Sequence, residues 1–197
     1  VLAQGSEATM TRKKDFKRAV RDYASRTGRS YADARSLLLS RQRGDLTMND
    51  IAFQSISKPE LGFTVAIPQG WSEFPPLLSN SPYEVARFAY RDDTHHLGIV
   101  FRMPGSPGLD VRVPAQEAQA RQRRQGFDNF ALDACKVGGR PGVRLTFDKK
   151  TAAGPWAARE YFVLAGSRVY VLGLASGDPT GDEGVFESMA ARFEVGD

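Results

Sequence analysis

Cysteine is almost missing from this chain. Its 197 residues include one, Cys135, so no intramolecular disulfide can form and a cysteine-rich metal site is excluded. Cys135 reads as a small apolar filler in or beside a strand rather than a reactive thiol. Histidine is nearly as scarce: with His95 and His96 alone, a three-histidine catalytic zinc site cannot be built. Long apolar runs are lacking too. The longest, such as Val169 to Ala175, are far short of the ~20 residues a membrane-spanning helix needs. Residues 1–14 hold no apolar core of a secretory signal and quickly turn basic. The expectation is a soluble, cytoplasmic protein that does not engage a membrane. What remains is an ordinary globular balance, 41% hydrophobic and 25% charged, and not that of a disordered chain.

The net charge of +4 conceals an asymmetry. Residues 1–44 carry eleven basic side chains against four acidic ones, a surplus of +7, which leaves the remainder with sixteen against nineteen, or −3. Two parts of opposite sign point to two roles, or to a cationic arm able to fold back on an acidic body. Residues 1–10 have no periodicity and are expected to form a disordered start. Over 11–44 the pattern turns helical: Phe16, Val20, Tyr23 and Ala24 share one face, Thr27-Gly28 supplies a stop, and Ser30 with Asp33 begins a second helix whose apolar positions are Tyr31, Ala34, Leu37 and Leu38. A hairpin this short needs a surface to lean on: the body of the chain, a second copy in a homodimer, another protein, or nucleic acid. Lys13, Lys14, Lys17, Arg18, Arg21, Arg26, Arg29 and Arg35 are its candidate contact residues for a protein partner or nucleic acid, although the same charges equally suit a solvated outer face. The leucines at 37–39 argue against specific base reading by the second helix.

Past Gly44-Asp45 the period changes from 3.6 to 2, which places a domain boundary near residues 44–51 and the body at 50–197. Leu61, Phe63, Val65 and Ile67 alternate as a half-buried strand, and 68–71 reads as a turn. Strands are expected at 85–91, 97–103, 130–137, 143–147, 156–164 and 169–174. Gly138-Gly139 suits a tight hairpin turn, and residues 165–168 close a second hairpin. Pro114 opens a helix whose thin apolar face is Val113, Ala118 and Val111, leaving Arg121, Arg123 and Arg124 to solvent. A closing helix begins at Asp178-Pro179, with Val185, Phe186, Met189, Ala190 and Phe193 on one face. The fold class is α+β, an antiparallel sheet of about seven strands covered by helices.

The run Leu61 to Trp71, with Val137 to Gly142, the strands around 154–163 and 170–172 and the final helix ending at Phe193, resembles PsbP-like domains, in their LpqN-type bacterial branch, over about residues 50–196. Unlike those lipoproteins, this chain shows no signal sequence or lipid-attachment cysteine at its start. The segment from Asp22 to Leu38 resembles a basic hairpin that opens assorted actinobacterial proteins. These resemblances imply a fold, and no catalytic residue or cofactor.

Chemistry is sparse. His95 and His96 near Asp92 and Asp93 have metal-ligand residue types, but neighbours on an extended segment point to opposite sides, so they read as solvated turn histidines and no metal is expected. Ser55, Ser57, Ser72, Ser79 and Ser81 lack a nucleophile elbow, as do Ser167 and Ser176. The glycines of 138–142 lie between strands and lack a phosphate loop's Lys-Ser/Thr pair. Asp178, Asp182 and Glu183 suit capping of the closing helix. Trp71, Phe74, Tyr83, Tyr90 and Trp156 either seal the core or line a groove for a small apolar ligand or a partner's peptide. The reading that follows is a non-catalytic interaction or adaptor module without cofactor. Its rivals are nucleic-acid binding by the hairpin, and ligand binding or weak catalysis in an aromatic groove near Trp71 and Trp156.

Overall fold

A computed structural model of the chain describes residues 16–18, 20–25, 31–32, 34–35, 52–90, 96–151, 154–177 and 179–196. The chain divides into two compact units, residues 1–50 and 51–197. In the first, every described residue is helical, with Val20 and Ala34 fully buried and Phe16, Tyr23 and Ala24 partly so. Tyr31, expected on the apolar stripe, is exposed. The disordered start expected for 1–10 lies outside the described residues, as do the Thr27-Gly28 stop, Leu37 and Leu38.

The second unit contains ten strands among the described residues, in two antiparallel sheets. A small sheet has the order β1-β2-β10, from β1 (Phe53–Lys58), β2 (Phe63–Pro68) and β10 (Glu194–Val195). The large sheet has the order β3-β4-β5-β9-β8-β7-β6. Its strands are β3 (Trp71–Phe74), β4 (Glu84–Tyr90), β5 (His96–Pro104), β6 (Asp128–Val137), β7 (Arg140–Thr151), β8 (Gly154–Ala165) and β9 (Arg168–Ser176). Two helices complete the unit, α1 (Arg112–Arg124) and α2 (Pro179–Ala191). The α+β class with a seven-stranded antiparallel sheet agrees with the sequence reading, but its membership does not. The strand at 61–67 belongs to the small sheet and begins at Phe63, because Leu61 closes a one-turn 3-10 helix at Pro59–Leu61. Its place in the large sheet is taken by β3, which starts at the end of the 68–71 turn and is not among the strands expected from the sequence.

The large sheet has two apolar faces. On one, Phe88, Val100, Tyr161, Val163, Tyr170 and Leu172 pack with Phe63, Val65 and Ile67 of β2 and with Val185, Phe186 and Met189 of α2. Tyr170 Oη donates to the Leu61 carbonyl (3.0 Å), tying the two sheets together. On the other face, Val143, Leu145, Phe147, Phe162, Val169 and Val171 meet α1. That helix begins at Arg112, so Pro114 sits within its first turn, where a missing amide is still tolerated. Its buried residues are Ala115 and Ala118, whereas Val113 is exposed, contrary to its expected place on the buried stripe.

The β6–β7 turn shows why glycine is needed. Gly138 and Gly139 have φ of 54° and 80°, in the left-handed region that costs other residues about 1–2 kcal/mol. The Gly138 amide also donates to the Ala190 carbonyl (2.9 Å), satisfying the end of α2, and a Cβ on Gly138 would run into the Phe193 carbonyl. At Gly139 a Cβ would meet nothing within 4 Å. Gly138→Ala is therefore expected to cost about 3 kcal/mol or more and Gly139→Ala about 1–2 kcal/mol, by urea unfolding. Equal losses would contradict the packing role given to Gly138.

Candidate functional site

A cleft lies on the α1 face of the large sheet, between α1 and the loop from Leu77 to Tyr83. It comprises two adjoining cavities of about 350 and 300 Å³, both lined by Asn80, Phe101, Gln122, Gln125 and Glu160. The sheet's register builds its floor. Leu145, Glu160, Gly173, Ile99 and Arg87 are successive cross-strand partners on β7, β8, β9, β5 and β4, so their side-chain positions form one row on this face. Gly173 leaves open space in the middle of that row. A Cβ there would make only ordinary contacts, 3.5 Å from Phe101 and 3.9 Å from Glu160.

Two carboxyls on this face have opposite environments. Glu84 pairs in register with Phe101 and Ala86 with Val100, so a bulge at Val85 puts Glu84 on the same side as Arg87. Its oxygens accept from Arg87 Nε (2.8 Å) and Nη2 (3.0 Å), the Leu77 amide (2.8 Å) and Asn80 Nδ2 (3.2 Å). Burial alone would raise the Glu84 pKa, but these bonds outweigh it and hold the carboxyl below its ordinary value. The bonds from Leu77 and Asn80 also pin down the loop that walls the cleft.

Glu160 lies in the floor, 7% exposed. Among the described residues its carboxyl takes one hydrogen bond, on Oε1 from Gln122 Nε2 (3.1 Å). Burial pushes its pKa up, and the field of Arg121 and the Gln122 bond offset this only in part. Arg121 is exposed and acts on it through its charge. A buried carboxyl with so little compensation, facing a cleft, is the kind of group that marks a binding or reacting position.

The aromatic groove expected from Trp71, Phe74, Tyr83, Tyr90 and Trp156 is split by the sheet. Trp71 and Tyr90 pair across β3 and β4 and pack into the core beneath α2. Phe74 is paired with Arg87, which places it on the α1 face at the sheet edge. Tyr83 and Trp156 line the cleft, one in each cavity. The period of 2 separates Trp71 from Phe74, which proximity in sequence had grouped together.

His96 is not a solvated turn residue: it begins β5, pairs through Nε2 with Asp182 (2.8 Å) and lies against Trp71. Ser176 Oγ donates to the same Asp182 oxygen. The carboxylate thus bonds both serine and histidine, and Ser176 is fully buried. Glu183 likewise does more than cap: it accepts from Arg159 (2.7 Å) and, with Glu187, faces Arg144. Burial raises the Cys135 thiol above its ordinary pKa. Among the described residues no three metal-ligating side chains gather. None of their helices is long and apolar enough to cross a membrane. His95, Asp92, Asp93 and Asp178 lie outside the described residues. So do Lys13, Lys14, Arg26 and Arg29, while Lys17, Arg18, Arg21 and Arg35 are exposed on helical residues.

No protein-family model and no curated protein sequence matches the chain. Solved structures do. The PsbP of the cyanobacterium Synechocystis (CyanoP) superposes with a TM-score of 0.55 at 13% identity, covering 74% of this chain and 93% of its own. The Ran-binding protein Mog1p of Saccharomyces cerevisiae gives 0.51 at 10% identity, covering 74% and 96%. The fold is PsbP-like. A Bacteroides thetaiotaomicron structure gives 0.53 at 12% identity, with 72% of this chain matched to 48% of that one. At such identities the likeness concerns architecture alone, so the role of the cleft in this PsbP-like chain rests on its own residues.

Glu160 was missed in the sequence, although a signal existed. In β8 the residues of both parities are apolar, as in a strand buried on both sides, so a charge there had to be buried. Because its pKa is raised in the folded state, the folded protein holds this proton longer than the unfolded chain. Stability is therefore lost as pH rises from the ordinary glutamate range through the folded pKa. Glu160→Gln, which has no proton to lose, is expected to match wild type near about pH 4 and to exceed it increasingly toward about pH 8 in thermal unfolding. A glutamine variant less stable than wild type at pH 8 would contradict this.

Proposed function

We propose that the protein is a non-catalytic partner-binding module whose contact surface is the cleft between α1 and the Leu77–Tyr83 loop. One observation carries the reading. Among the described residues of the 51–197 unit, the exposed large hydrophobics are Leu77, Leu78, Tyr83 and Val113, at 43–64% exposure, and all four stand on the loop and helix that border the cleft. Apolar side chains gathered around one concavity, with polar groups inside it, are the make-up of a protein contact. The burial of Ser176 and the lack of a metal cluster among the described residues favour a binding role over a reacting one. That Mog1p, a Ran-binding protein, uses the same fold is in keeping with an interaction module.

The expected result of substituting Leu78→Asp together with Tyr83→Ala is a loss of about tenfold or more in affinity for a captured partner, with unfolding temperature unchanged. Lys136→Glu on the far edge strand β6 is the control and should leave affinity intact. Capture unaffected by the rim variant would overturn the cleft as contact surface.

A second reading concerns the 1–50 unit. Lys17, Arg18 and Arg21 are exposed on the same helical residues that bury Val20, a basic face free to meet phosphates. Nucleic-acid binding by this unit is expected to weaken steeply with salt and to vanish when Arg18, Arg21, Arg26 and Arg29 are neutralised. Salt-insensitive retention on an oligonucleotide column would reject it.

A further inference from the structure

The geometry points to a cation-binding position at the floor of the cleft: Glu160 accepts the ammonium of a lysine side chain presented by the partner, with the lysine stem lying along Phe101 and Phe162. This rests on the reading of the cleft as a contact surface and names the chemistry that would fill it.

Four features converge. Glu160 is more than nine-tenths buried, and among the described residues its second oxygen, Oε2, takes no hydrogen bond, so a donor arriving there from the cleft gains a charge-assisted bond. Among the described residues none supplies such a donor: Arg121 contributes its field but stays at the exposed margin, and Arg87 is committed to Glu84 at the other end of the floor row, three strand spacings or about 14 Å away. The space beside the carboxyl is real: Gly173 adds no side chain there, the atoms nearest to that position belong to Phe101, the Ile99 carbonyl and Glu160 itself, and Phe101 and Phe162 line the adjoining cavity that Glu160 also borders. Those rings suit an alkyl stem and favour a positive head over a neutral one.

The occupancy of Oε1 by Gln122 selects lysine over arginine. A guanidinium binds best through two parallel bonds to both carboxylate oxygens, whereas an ammonium is a point donor content with one. Binding also requires the ionised carboxylate, so affinity should rise with pH while Glu160 is still titrating.

The test uses the full 197-residue chain and three probes of equal stem: n-pentylammonium, n-pentylguanidinium and n-pentanol, followed by the amide NMR signals of Glu160, Gly173 and Gln122. The expected result is binding of the ammonium about tenfold tighter than the alcohol, falling to about parity in Glu160→Gln while alcohol binding is unchanged. Gln122→Ala, which frees the first oxygen, should bring the guanidinium up to the ammonium. Equal binding of ammonium and alcohol to wild type, or an ammonium preference that survives Glu160→Gln, overturns the lysine position and leaves the cleft reading standing. Failure of all three probes to shift these signals overturns both.

Discussion

A sheet of seven strands has more area than one helix can cover, and the organisation of the 51–197 unit follows from that mismatch. Six strand spacings make the sheet about 29 Å wide, while a packed helix covers a band about 10 Å across. On one face the problem is solved twice over, by α2 and by the small sheet β1-β2-β10, and the large core lies there. On the other face α1 stands alone among the described elements. Its two buried alanines bring it close to β7 and β6, but from β5 toward β4 the sheet is roofed only by the Leu77–Tyr83 loop. The cleft is the part of the sheet that neither covers.

Leaving that area open would expose a row of apolar side chains, and the two glutamates define how the row is finished. Glu84 gathers the loop: two of the four hydrogen bonds on its carboxylate, from the Leu77 amide and Asn80, hold a proline-bordered segment as a wall, and Arg87, which supplies the other two, is buried beside it. Glu160 gathers almost nothing. Its cost in desolvation is recovered only in part by Arg121 and Gln122, which is the condition under which a partner's charge has most to offer. One face thus carries a carboxylate that builds structure and another held in reserve.

Most of the large sheet was legible because its strands obey a period of 2 or are apolar throughout. The run Val169 to Ala175 reads as a fully buried strand, and β9 is a central one. The closing helix showed in Val185, Phe186, Met189, Ala190 and Phe193, all of which are buried. What escaped lacked a pattern. In β1 only Phe53, Ile56 and Lys58 are even partly shielded, so no alternation marks it, and β3 is four residues long and runs into Pro75-Pro76. The aromatic groove failed because residues three apart in a strand face opposite sides. The cleft itself depends on register across five strands, which no local window contains; only the anomaly of a charged pair, Arg159-Glu160, in a strand apolar on both faces hinted at it.

The chemistry of the open cleft depends on the state of one carboxyl at its floor. Carbon-13 NMR titration of the Glu160 side chain in the full chain measures it directly. A midpoint displaced above the ordinary glutamate range is the expected result. Titration of Glu160 within that range would mean that water or another group already compensates the charge, and the reserved site would not exist.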